Sequence, residues 1–299
     1  MGISLVPKAV ELDVEGKVKT ERKPKTTNAD LPFPRPSYHT DLKFWQTYFL
    51  PELWDYAATS EEPFSLGAAP GFRDFVQNLW EKHYGAYTIT DAVYSQAAQA
   101  VRNWRSKIGK TALAAVNHVL KELPTLEERA KRVADELKDT VFLVFQTGAY
   151  RSELVLRVFA AHLQAVHKND AFYGHPVGAM ALTCAAVERA LNMYKSGTCS
   201  TDGVPRRGKR SALSFVVVPW GARAKAYLPG IRKLTTQKWS KIMSMSYPFM
   251  DSAALITIDD TDGEESSEDS RACIQVSDDS DEEEVTRSYR TINHFYTFG

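Results

Sequence analysis

Cysteine is scarce. Three occur in 299 residues, Cys184, Cys199 and Cys273, without paired spacing and with one left over in any pairing scheme. A disulfide framework is therefore excluded, and a reducing compartment fits best. Long apolar runs are also missing. The most apolar helical stretch, around Gly178 to Leu191, is interrupted by Glu188 and Arg189, and the first residues lack the apolar core of a secretory leader. Neither a membrane span nor a signal peptide is expected. Met1-Gly2 has the start of a myristoylation signal, but Val6 stands where that signal needs Ser or Thr.

Catalytic signatures are missing as well. There is no Gly-x-Ser-x-Gly elbow. Gly109-Lys110-Thr111 matches only the end of a phosphate-binding loop, whose first glycine would fall on Trp104, inside a helix-periodic stretch. His162 and His167, five residues apart, point to different helix faces and lack the acid of a metalloprotease pattern. His162 sits on an apolar stripe and reads as a core histidine. His118 with Glu122 reads as a solvated helix pair, and Cys184 as buried and inert. No catalytic residue, metal ligand or cofactor is expected, and the reading favours a protein that is not an enzyme.

What is present is core material and divided charge. With 43% hydrophobic and 11% aromatic residues, the chain has ample material for a core. Its formal net charge is zero, yet residues 259–284 hold 13 of the 37 acids and one base, Arg271, leaving 36 bases against 24 acids elsewhere. Within the body, Lys195 to Lys241 carries eleven bases against Asp202 alone and invites an anionic partner.

Hydrophobic periodicity predicts a mainly α fold, a single helical domain over 37–250. Residues 1–36 are expected to be a disordered basic segment, and 251–299 an acidic disordered tail. An aromatic helix from Asp41 to Tyr56 should kink or break at Pro51. Phe72 to Tyr84 reads as a helix, and Thr90 to Leu123 is the strongest, with Val93, Ala97, Val101, Trp104, Ile108, Ala112, Ala115 and Val119 along one face. Thr125 and Glu128 form a capping box that opens the next helix, which carries Ala130, Val133, Ala134 and Leu137. Helices over Ser152 to Val166 and Val177 to Tyr194 follow, then a long basic loop near 196–214. Phe215 to Val218 is a strand or an extended lead-in. A last helix spans Thr235 to Ser246, with Trp239, Ile242 and Met243 inward.

Several of these segments share a pattern: Phe44-Trp45 with Phe49-Leu50-Pro51, Trp104 to Gly109, Gly178 to Leu182 through Val187 to Ala190, and Trp220 with Trp239. Together they resemble an uncharacterised helical domain found in proteins of mushroom-forming fungi, over roughly Asp30 to Ser246. The resemblance implies a helical fold, no catalytic residue, and an association with mobile genetic elements.

The tail repeats one arrangement. Leu255-Ile256-Thr257-Ile258 runs into Asp259-Asp260-Thr261-Asp262, and Cys273-Ile274-Gln275-Val276 runs into Ser277-Asp278-Asp279-Ser280-Asp281. A short β-prone apolar segment followed by acids can add as a strand to a partner's sheet edge and set its acids against a basic rim. The pair resembles tandem interaction motifs for the small ubiquitin-like modifier SUMO, with Leu255, Ile256, Ile258, Ile274 and Val276 as docking residues. Thr261, Ser266 and Ser280 each have an acid three residues on, the pattern acidophilic kinases favour. Val18-Lys19-Thr20-Glu21 matches the acceptor pattern for SUMO conjugation at Lys19. In the basic loop, Arg206, Arg207, Lys209 and Arg210 are candidates for nucleic-acid contact or nuclear import.

These observations favour a nuclear interaction protein that docks SUMO or SUMO-modified proteins through its tail. The rival is a nonspecific nucleic-acid-binding module, associated with mobile elements, that uses the block 195–241 while the acidic tail folds back as a competing polyanion. Localisation is expected to be nuclear, with the cytoplasm as the alternative, and no membrane partner is expected.

Overall fold

The computed structural model describes residues 26–33, 38–85, 89–145, 148–200 and 215–254. In chain order its helices are α1 (Tyr38–Phe44), α2 (Leu50–Thr59), α3 (Phe72–Tyr84), α4 (Asp91–Lys121), α5 (Leu126–Leu137), α6 (Glu153–Val166), α7 (Val177–Met193), α8 (Val217–Ile231), α9 (Thr236–Ser246) and α10 (Met250–Ala254). One two-stranded antiparallel hairpin, β1 (Val144–Phe145) and β2 (Gly148–Ala149), joins α5 to α6, with Val144 opposite Ala149. The protein is mainly α, as its periodicity requires.

Pro51 does not break the aromatic helix. Trp45–Phe49 forms a π-helical turn between α1 and α2, and Pro51 falls in the first turn of α2. The backbone is helical without a break from Tyr38 to Thr59, and the wider π-helical turn lies directly before Pro51, where the proline cannot supply an N–H to the ladder. Trp45 and Phe49 stack at 4.1 Å and are buried.

α4, about 46 Å long at 1.5 Å per residue, buries Val93, Ala97, Val101, Trp104, Ile108, Ala112 and Ala115, with Val119 half-buried. The capping box of α5 is formed: the Glu128 N–H donates to Thr125 Oγ1 at 3.2 Å, and the Thr125 N–H donates to Glu128 Oε2 at 3.2 Å. Ser152 caps α6, accepting from the Val155 N–H at 3.3 Å.

α7 is buried on almost every side and forms the centre. It packs on α4, α6, α8 and α2, while α9 and α10 both pack on α6. Its first turn lies against the end of α2, where a Cβ on Gly178 would sit 2.0 Å from the Ser60 carbonyl oxygen. Gly109, whose match to a phosphate loop fails in the sequence, lies inside α4 as the helix periodicity there requires, and is covered by Phe215, whose ring would be 2.9 Å from a Cβ there.

α8 has no counterpart among the expected helices. Pro219, Gly221, Pro229 and Gly230 all read as helix breakers. Val218 is extended (φ −115°, ψ 117°), as a residue before proline prefers, so the lead-in over Phe215 to Val218 is partly of the extended kind. Beyond it Trp220, Gly221, Ala224, Leu228 and Ile231 are buried at helical spacing, and packing on α7 overrides the propensity.

Candidate functional site

The docking residues Leu255, Ile256, Ile258, Ile274 and Val276 lie outside the described residues. So do the modification candidates Lys19, Thr261, Ser266 and Ser280, and the loop residues Arg206, Arg207, Lys209 and Arg210. Two features of the described body bear on function: a buried carboxylate cluster, and the placement of the rest of the basic block.

The cluster is built on α2. Glu52 and Asp55, three residues apart, share a helix face that meets α3 and the loop between α6 and α7. Glu52 is buried, and its Oε1 accepts from Lys82 Nζ at 2.5 Å and from the Tyr173 hydroxyl at 2.6 Å. Its Oε2 lies 2.9 Å from His83 Nε2. An ionised carboxylate only accepts, so that nitrogen carries the proton. Burial works to raise the Glu52 pKa, but the hydrogen bonds from His83, Lys82 and Tyr173 outweigh it and hold the carboxyl down at about 2. Asp55 is the opposite case. Burial pushes it up to about 6, the backbone N–H of Tyr173 at 3.4 Å compensates little, and the nearby Glu52 charge pushes the same way.

Tyr173 reaches this site because Asn169 shapes the loop before it, its side chain bonding both backbone groups of Ala171, at 2.9 and 3.0 Å. The Tyr173 ring then stands edge-on to Tyr56 and Phe75, at 5.7 and 5.5 Å, and those two stack on each other at 3.6 Å. With three donors on its carboxylate, Glu52 is engaged as an anchor that joins α2, α3 and the α6–α7 loop. Nothing in the sequence pointed to this cluster, since Glu52 and Tyr173 are 121 residues apart.

His162 is buried between Trp104 and Phe159, with ring centroids 5.9 and 5.5 Å away, and burial pushes its pKa down to about 3. Cys184 is buried, and burial raises its thiol pKa. His118 and Glu122 are exposed. A groove of about 520 Å³ lies between α5 and α7, lined by Ala130, Ala134 and Leu137 on one side and Glu188, Asn192 and Lys195 on the other. Glu188 is already engaged there, by the Tyr227 hydroxyl at 2.8 Å and Arg223 at 3.7 Å. Among the described residues, no group of three or more His, Cys, Asp or Glu is placed to hold a metal ion, and no helix is long and apolar enough to cross a membrane.

Seven bases of the block Lys195 to Lys241 are described, and they fall into two sets. Arg223 pairs with Glu188, Lys225 with Glu62 at 2.7 Å, and Arg232 with Glu61 through two hydrogen bonds. The last two pairs tie α8 and its C-terminal end to the loop after α2. Lys195, Lys233, Lys238 and Lys241 are exposed and form no ion pair among the described residues.

Residues 47–205 match the family described as a domain of unknown function, DUF6532. The match covers more than half of the chain, which belongs to this family. It runs from the π-helical turn through α7, and so takes in the Glu52 cluster and the central helix. No curated protein and no solved structure matches the chain.

Proposed function

We propose that this chain is a nuclear interaction protein in which the helical domain is a stable platform and the acidic tail docks SUMO or SUMO-modified proteins. The tail supplies two apolar segments, Leu255-Ile256-Thr257-Ile258 and Cys273-Ile274-Gln275-Val276, each running into acids, and two such strands joined by a spacer suit a chain of modules better than a single one. The resemblance of the domain to one from mushroom-forming fungi belongs to the same proposal, and the association with mobile elements goes with the nucleic-acid alternative.

Part of the basic block is engaged by the chain itself, since Arg223, Lys225 and Arg232 pair with Glu188, Glu62 and Glu61, which leaves fewer of the described cations for a nucleic-acid module. Phosphate binding draws its strength from cations that displace counterions, and a cation neutralised by its own protein contributes little. Calorimetric titration of the full chain with one SUMO module and with a linked pair tests the reading. Weak binding to the single module, and at least tenfold tighter binding to the pair, are expected. Equal affinity for both would remove the tandem element, and no binding to either would remove the function.

A further inference from the structure

The four unpaired lysines of the block are not spread evenly. Three of them, Lys233, Lys238 and Lys241, lie within nine residues, in the turn before α9 and on its outer face. That face also presents Gln237, Ser240 and Ser244, all exposed, and α9 contains no acidic residue. Its inner face is fully used, since Trp239, Ile242, Met243 and Ser246 are buried against the body. The outer face is thus a strip of positive charge with no partner among the described residues. Asp251, on α10, is an acid close to it in sequence and is exposed.

The acidic tail is tethered next to this strip. α9 leads through the single turn Tyr247–Phe249 into α10, both helices pack on α6, and the tail follows directly from Ala254. Asp259 and Asp260 come five and six residues later, a reach of roughly 17–20 Å for extended chain. α9 itself is about 16 Å long. A polyanion held this close meets the lysines at a high effective concentration without any partner in solution.

We propose that the segment Asp259 to Glu284 docks on the outer face of α9, its carboxylates against Lys233, Lys238 and Lys241. The acids that SUMO's basic rim would take are then held by the chain itself, so the two contacts compete. Phosphate on Thr261, Ser266 or Ser280 strengthens both, and the balance is set by how many acids each contact engages. The competition rests on the SUMO reading; the docking does not.

Carbodiimide cross-linking of the full chain, mapped by mass spectrometry, tests the contact without SUMO. Amide links should join tail acids to Lys233, Lys238 or Lys241 in preference to Lys121, Lys131 and Lys168, and should fade in about 0.5 M salt as the charges are screened. Tail links absent, or spread evenly over all exposed lysines, would overturn the docking. A full-chain K238E/K241E variant should lose those links and bind a SUMO module about three- to tenfold more tightly. If the wild-type links form and SUMO does not bind, the docking stands and the SUMO reading fails. If SUMO binds and the links do not form, the reverse holds.

Discussion

The hydroxyl of Tyr173 donates to Glu52 at 2.6 Å, joining the loop before α7 to a helix 121 residues earlier in the chain. The acceptor is an ionised, buried carboxylate, and hydrogen bonds to charged groups are among the stronger ones. Replacing Tyr173 by Phe keeps the ring against Tyr56 and Phe75 and removes only the donor. Lys82 and His83 still hold the carboxylate, so a loss of about 1–2 kcal/mol in chemical denaturation is expected. Glu52→Gln should cost more, because it disturbs all three contacts. If both variants unfold at the same denaturant concentration as the wild type, the anchor carries no stability.

The neighbouring carboxyl sets a pH dependence of opposite sign to the usual acid effect. With its pKa raised to about 6 from 3.8, Asp55 keeps a proton in the folded chain that the unfolded chain has already released. Stability from this group is therefore full below about pH 4, declines as pH rises to about 6, and is flat above that. Asp55→Asn should stabilise the protein at pH 7.5 by about 1–2 kcal/mol, discounted for partial exposure, and by almost nothing at pH 4. A gain independent of pH would point to another cause. On the acid side, Glu52 with a pKa near 2 and His162 near 3 both remove stability as pH falls, the first below about 4.5 and the second below about 6.5.

Gly178→Ala is expected to be severe for so small a change. The added methyl would lie 2.0 Å from the Ser60 carbonyl oxygen, which is backbone and cannot swing aside. α7 would have to move away from α2 at the centre of the fold, at a cost of about 3 kcal/mol or more. Thermal denaturation of G178A against A179G separates the causes: alanine's better helix propensity would make G178A the more stable, whereas the contact makes it clearly the less stable.

Much of the helical body could be read from spacing alone. The stripe from Val93 to Ala115, the capping box at Thr125 and Glu128, and the inward trio Trp239, Ile242 and Met243 are local patterns, and all are found as expected. α8 was hidden because its Pro and Gly content outweighs its periodicity until α7 is there to pack against. Pro51 marks an irregularity but not an end: the helix runs through it, and the π-helical turn just before it takes up the disturbance, which sequence alone does not place. The Glu52 cluster was illegible: it joins residues from three distant segments, and no short-range pattern brings Tyr173 to α2. The tail motifs are the reverse case. They are legible as sequence, and their residues lie outside those the structure describes.

Chemical-shift perturbation of isotope-labelled SUMO by the full chain tests the central claim most directly. Shifts should concentrate along one sheet edge and its basic flank, because the apolar residues fill the groove while backbone amides extend the sheet. Ile256→Ala with Ile258→Ala should weaken the shifts, and adding Ile274→Ala and Val276→Ala should abolish them. Shifts that are absent with the wild-type chain, or that persist unchanged with all four alanines, would contradict the account and leave the tail an acidic extension only.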